Sequence, residues 1–133
     1  MAVNQDQVKQ PLERYDEALS TGDLASITGC WEVPGLVLAD DGAITMSDKG
    51  QLEGFFARAI GWYQSRRLMA TRPELERAVA LTERLTLVTV RWPSFDHAGI
   101  ERPSERSHYI LRLGNDGRHR IQVALTEPLS HPD

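Results

Sequence analysis

The chain has 133 residues, 41% of them hydrophobic and 26% charged, which allows one buried core and excludes disordered, collagenous and membrane classes by composition. A formal net charge of −4 opposes a polyanionic partner, since phosphate neutralisation needs a clustered basic surface. Arg66-Arg67 and Arg118-His119-Arg120 are its basic clusters; they read as solvated strand ends, so no nucleic-acid partner is expected.

Along the chain, Val8, Leu12, Tyr15, Ala18 and Leu19 recur at three- and four-residue steps and predict a first helix from about Asn4 to Ser20. Gly22 is placed to end it and Asp23 to cap a second helix with apolar positions Leu24, Ile27 and Cys30 or Trp31. Val33 to Ala39, a turn at Asp40-Asp41-Gly42, and Ala43 to Thr45 predict a hairpin. Ser47 is the expected cap of a third helix carrying Leu52, Phe55, Phe56, Ala59, Ile60 and Tyr63 on one stripe and ending near Gln64-Ser65. By local propensity, Thr71 to Leu81 reads as a helix.

From Arg84 onward the texture is β, with strands expected at Leu85–Trp92, Ser107–Leu113 and Ile121–Leu125. Gly114 to Gly117 supplies a turn, and Pro93 to Pro103 reads as a longer connection. Alternation puts Ser107, Tyr109, Leu111 and Leu113 on one face of their strand and His108, Ile110 and Arg112 on the other. Leu85 and Leu87 on one side and Val88 and Val90 on the other imply that both faces of the sheet are covered, one by the helices and one by a second copy: a homodimer through the outer sheet face.

Cys30 is the only cysteine, which rules out an intrachain disulfide and suits a reducing compartment. Met1 to Gln10 lacks the apolar run of a secretory leader and no later stretch reaches membrane-spanning length, so the expected location is cytoplasmic, with no membrane partner. His97, His108, His119 and His131 are not at ligand spacing, and no phosphate loop or nucleophile elbow is present, so neither metal nor cofactor is expected.

The order helix, helix, hairpin, helix, long strands, together with Leu12 to Leu24 (a helix tyrosine followed by a Gly-Asp-Leu corner), Gln51-Leu52-Glu53-Gly54-Phe55-Phe56, and Tyr109 to Leu113 with Asp116-Gly117 and Arg120-Ile121, resembles the nuclear transport factor 2-like superfamily over about Gln5 to Thr126. Within it, the resemblance is to the ketosteroid-isomerase-like and SnoaL-like polyketide cyclase branch. The implied fold is α+β: a cone of strongly curved, mixed, largely antiparallel sheet wrapped around three N-terminal helices, cystatin-like in class. The chain would be a single domain over 1–133, with its core at about 5–127 and a loose tail at 128–133. The resemblance also implies that 71–81 is strand.

Isomerases of this superfamily use a carboxylate base and an oxyanion hole built from a tyrosine and a protonated acid. Tyr15 matches the oxyanion tyrosine; the base position falls on Ala39, one residue from Asp40, and the protonated acid position falls on Tyr109. Trp31 and Phe56 stand where the isomerases carry supporting tyrosines, so ketosteroid isomerase activity itself is not expected. Tyr15 and Asp40 are the catalytic candidates, and Tyr15, Trp31, Phe56 and Tyr109 the ligand-pocket candidates. Two functions stay open. One is a small apolar molecule bound in the cone, with cofactor-free isomerase, dehydratase or cyclase chemistry. The other is a non-catalytic dimerisation or accessory module with a filled cone.

Overall fold

The computed structural model describes residues 5–67, 73–95 and 98–127. Asn4, Thr71-Arg72, His97 and the tail 128–133 lie outside the described residues, as do the side chains of Trp62 and Tyr63.

Helix α1 (Gln5–Thr21) buries Val8, Leu12, Tyr15, Ala18 and Leu19, the stripe its spacing dictates. Gly22 ends it at φ 72°, donating its N–H to the Ala18 carbonyl at 3.0 Å. This left-handed position carries no Cβ penalty for glycine. Asp23 caps α2 (Leu24–Gly29), accepting the Ser26 N–H at 3.3 Å and the Ser26 hydroxyl at 2.6 Å. Cys30 closes that helix, so Trp31 leaves it and opens strand β1 (Trp31–Ala39).

Strand β1 returns through the Asp40-Asp41 turn into β2 (Gly42–Met46), with Val37 opposite Ile44. The next cap sits one residue beyond the expected Ser47. Asp48 accepts the Gln51 N–H at 2.9 Å, while the Gln51 side chain reaches back to the Ser47 N–H at 2.7 Å, so the longer reach of the Asp carboxylate takes the role and leaves Ser47 as the residue before the cap. Helix α3 (Lys49–Arg67) runs two residues past the expected stop. It buries Leu52 and Phe56, with Phe55 and Ile60 packed beside them.

Four strands follow: β3 (Glu74–Ala80), β4 (Leu85–Phe95), β5 (Glu101–Leu113) and β6 (His119–Thr126). Residues 74–80 are strand despite their helix-forming composition, because pairing with β4, Val79 opposite Leu87 and Ala78 opposite Val88, outweighs local preference. Much of the connection expected at Pro93 to Pro103 is also strand. A register shift between Trp92 and Ser94 places Pro93 at a bulge, where its missing N–H breaks no ladder hydrogen bond.

The six strands form one mixed sheet in the order β2-β1-β6-β5-β4-β3, with β1 parallel to β6 and the other pairs antiparallel. Four of these five pairings carry a register shift, and each shift bends its strand and sharpens the twist. Thr86, Val88, Val90 and Trp92 on β4, and Ser107, Tyr109 and Leu111 on β5, are buried on the face that meets the helices. Among the described residues no helix is long and apolar enough to cross a membrane.

Candidate functional site

Four elements converge on the helix-covered face. Tyr15 comes from α1, Trp31 from the start of β1, Phe56 from α3 and Tyr109 from β5; they are 3%, 5%, 0% and 5% exposed. Tyr15 is the hub. Its ring lies 6.4 Å from Trp31, 6.4 Å from Phe56 and 6.3 Å from Tyr109, at interplanar angles of 72°, 86° and 86°. Trp31 and Phe56 meet at 5.7 Å, and Phe55 stands edge-on to Phe56 at 5.0 Å. Edge-to-face packing sets the positive rim of one ring against the negative face of the next, a contact worth about 0.5–1.5 kcal/mol beyond the area it buries.

The position of Trp31 depends on its neighbour four residues on. A Cβ on Gly35 would stand 3.1 Å from Trp31 Cε3 and 3.2 Å from both the Glu32 carbonyl and Met46 Cε, so glycine is what lets the indole approach the β1 backbone this closely. Opposite, the β1–β6 ladder is irregular between Trp31 and Leu36. Gln122 bridges this stretch, donating to the Pro34 carbonyl at 2.9 Å and accepting the Arg112 Nε–H. The Trp31 indole Nε1 is buried and has no hydrogen-bond partner among the described residues.

All four pocket candidates therefore meet in one cluster. Asp40 does not join it: it sits exposed in the β1–β2 turn, beside Ala39, which is also exposed. The buried polar side chains among the described residues are Thr86 and Ser107, the latter 3.2 Å from the Thr126 hydroxyl. His108 lies on the opposite face from Tyr109, with Nδ1 3.0 Å from the Thr89 hydroxyl and Nε2 3.6 Å from Glu127. Arg91 pairs with Glu74 at 2.8 Å. Among the described residues no three His, Cys, Asp or Glu side chains gather closely enough to hold a metal.

The outer face carries a feature that no single strand advertises. Register places Val79, Leu87, Ile110, Val123 and Leu36 in one row across five strands, with Leu125 and Leu38 in the next. Each is half-buried and none belongs to the core cluster. Charged side chains lie alongside: Arg106 bonds Glu76 at 2.7 Å and approaches Glu127 at 3.7 Å. The hydrogen bond and charge of Arg106 hold the Glu76 carboxyl below its ordinary range.

The family described as NTF2-like protein (DUF6841) matches residues 5–128. No curated protein matches the sequence. Among solved structures, the chain is similar to a domain of unknown function with a cystatin-like fold from Nostoc punctiforme, with a TM-score of 0.70, 11% identity, and 98% of this chain and 80% of that one covered. It is also similar to a ketosteroid isomerase-like protein from Erwinia carotovora atroseptica, with a TM-score of 0.65, 15% identity and coverage of 97% and 100%. A putative calcium/calmodulin-dependent protein kinase type II association domain from Thiobacillus denitrificans gives a TM-score of 0.71 at 10% identity, covering 90% and 93%. At these identities the likeness is one of fold.

Proposed function

This chain belongs to the NTF2-like protein family (DUF6841), and from that premise we propose that it acts as a homodimeric accessory module, its cone filled by its own aromatic side chains and its outer sheet face covered by a second copy. The observation that carries this reading is the aliphatic row Val79, Leu87, Ile110, Val123 and Leu36, which lies outside the core. An apolar centre flanked by charges of both signs is the anatomy of a protein interface, and a two-fold axis requires a self-complementary patch, which mixed charge permits. The quartet supports the other half: rings at 5.7–6.4 Å and no more than 5% exposed are packed as core. A reducing, cytoplasmic setting suits the lone buried Cys30.

Sedimentation equilibrium tests the pairing. Wild-type protein has twice the chain mass at micromolar concentration, and Ile110→Glu, which puts a charge at the centre of the row, has the single-chain mass with its melting transition retained. A wild-type monomer, or an Ile110→Glu dimer, ends the reading.

One observation favours a second reading, a small apolar molecule with a carbonyl oxygen bound beside the quartet. A buried indole N–H without an acceptor costs roughly 1–3 kcal/mol, and a ligand oxygen would supply that acceptor to Trp31. The matched pair 1-tetralone and tetralin decides it. Wild type would bind the ketone more tightly than the hydrocarbon, and Trp31→Phe would abolish the difference; no binding of either, or the same preference in both proteins, removes the reading.

A further inference from the structure

A cleft of about 580 Å³ opens between the first turns of α1, the β3–β4 turn and the β5–β6 turn. A second of about 200 Å³ adjoins it toward the end of α2. The two share Pro11, Arg14, Arg118 and His119 and so form one continuous groove. Its basic end is unusual for a chain of net charge −4. Arg14 arrives from α1, Arg118 from the turn after β5 and Arg120 from β6, in a fold that brings positions more than a hundred residues apart to one wall.

The three arginines differ in how they are held. Arg120 is fixed by Asp116, at 2.6 and 3.1 Å, and the same contact holds the Asp116 carboxyl down at about 2. Arg14 and Arg118 both line the groove and are exposed, and among the described residues neither guanidinium has an ion pair or hydrogen bond. Arg14, Arg118 and Arg120 line the smaller cleft together with Cys30; burial pushes the Cys30 thiol up in pKa, while the three arginines pull it down. Glu83 is the acid on the opposite rim. Away from the arginines Val8, Pro11, Ala80 and Leu113 supply apolar wall, interspersed with the amides of Gln7 and Gln10 and the hydroxyls of Thr82 and Thr86.

We propose that this groove binds a small organic anion, its carboxylate or phosphate headgroup held by Arg14 and Arg118 and its apolar body lying along Val8, Pro11 and Leu113. Planar guanidinium forks match the oxygen geometry of both headgroups. A volume of about 580 Å³ falls within the range of small-molecule sites, roughly 300–1,000 Å³. The site shares no lining residue with the quartet or with the outer row.

The test uses 4-phenylbutyrate and phenyl phosphate as probes and neutral 4-phenylbutanol as the control, titrated into the whole chain and followed by calorimetry. Wild type binds at least one anion saturably at millimolar concentration or below, more weakly as salt rises, and the alcohol less well. Arg14→Gln with Arg118→Gln weakens the anion at least about tenfold, the loss of two charge-assisted hydrogen bonds, and leaves the alcohol unchanged. Arg77→Gln, on exposed β3, leaves all three probes unchanged. Both replaced arginines are exposed, so the double variant keeps its melting temperature; if it does not, Arg118→Lys serves in its place, keeping the charge, losing the fork and weakening the anion to a smaller degree. Preference for one headgroup identifies the natural class. Absence of saturable anion binding by folded wild type, or equal affinity in wild type and the double variant, overturns the proposal.

Discussion

Replacing Phe56 by alanine separates a filled cone from a hollow one. The ring is fully buried and meets Phe55 at 5.0 Å, Trp31 at 5.7 Å and Tyr15 at 6.4 Å. Truncating an enclosed phenylalanine removes its transfer free energy and leaves a cavity, together about 3–5 kcal/mol. The lost edge-on contacts, about 0.5–1.5 kcal/mol each, overlap with that figure and set the expectation at its upper half, about 4–5 kcal/mol. At about 3–5 °C per kcal/mol for a domain of this size, the melting temperature falls by roughly 12–25 °C, and the lost free energy is a large share of a typical stability of about 5–15 kcal/mol. Urea unfolding followed by far-ultraviolet circular dichroism measures the loss directly. A hollow site has fewer neighbours to lose, so a decrease below about 2 kcal/mol would mean that the cone is not filled. Because a dry apolar cavity accepts benzene-sized guests, millimolar toluene should restore part of the loss in Phe56→Ala and do nothing for wild type.

Three further outcomes follow from the same geometry. Gly35→Ala sets a methyl 3.1 Å from Trp31 Cε3 and should destabilise by about 1–3 kcal/mol, the cost of overpacking, with an altered tryptophan fluorescence spectrum; an unchanged spectrum and melt would mean that the indole does not rest on β1. Asp48→Ala should cost about 1 kcal/mol and Ser47→Ala less than about 0.5, since Asp48 holds the cap; the reverse order would restore Ser47. His119 has its pKa lowered from 6.5 by burial, so as pH falls the unfolded chain takes up that proton first. Its contribution is whole above pH 6.5 and is lost as pH drops toward the lower folded value, in the same groove as Arg14 and Arg118. His119→Gln should flatten this part of the stability profile, and an unchanged slope would place the ring in water.

Much of this molecule is legible along the chain because its period is local. The α1 stripe follows from spacing alone, and the Gly22-Asp23 corner from the two residue types that a helix end and a helix start require. Strand β3 is not legible in that way: its alanines and glutamates suit a helix, and its identity comes from the hydrogen bonds that β4 offers across the sheet. Nor is the phase of β6. Strict alternation would set Ile121 and Val123 on one face, but the shift beside Gln122 turns Ile121 and Ala124 inward and Val123 outward, and the outer row exists only because of it. The aromatic residues of the site were visible as residue types; that their rings close on one another was not, since it needs the Gly35 approach and the α3 placement together. The run Arg118 to Arg120 was likewise visible as charge, but its convergence with Arg14 is a product of the fold.

The pairing of two copies through the outer sheet is most directly measured by isotope-filtered nuclear Overhauser spectroscopy on a one-to-one mixture of labelled and unlabelled chains. Pairing through this face gives intermolecular contacts from the Ile110 methyls to Leu87 and Val123 methyls of the other copy. Intermolecular contacts confined to the β2 edge, at Ile44, or none at all in protein of the single-chain mass, would contradict it.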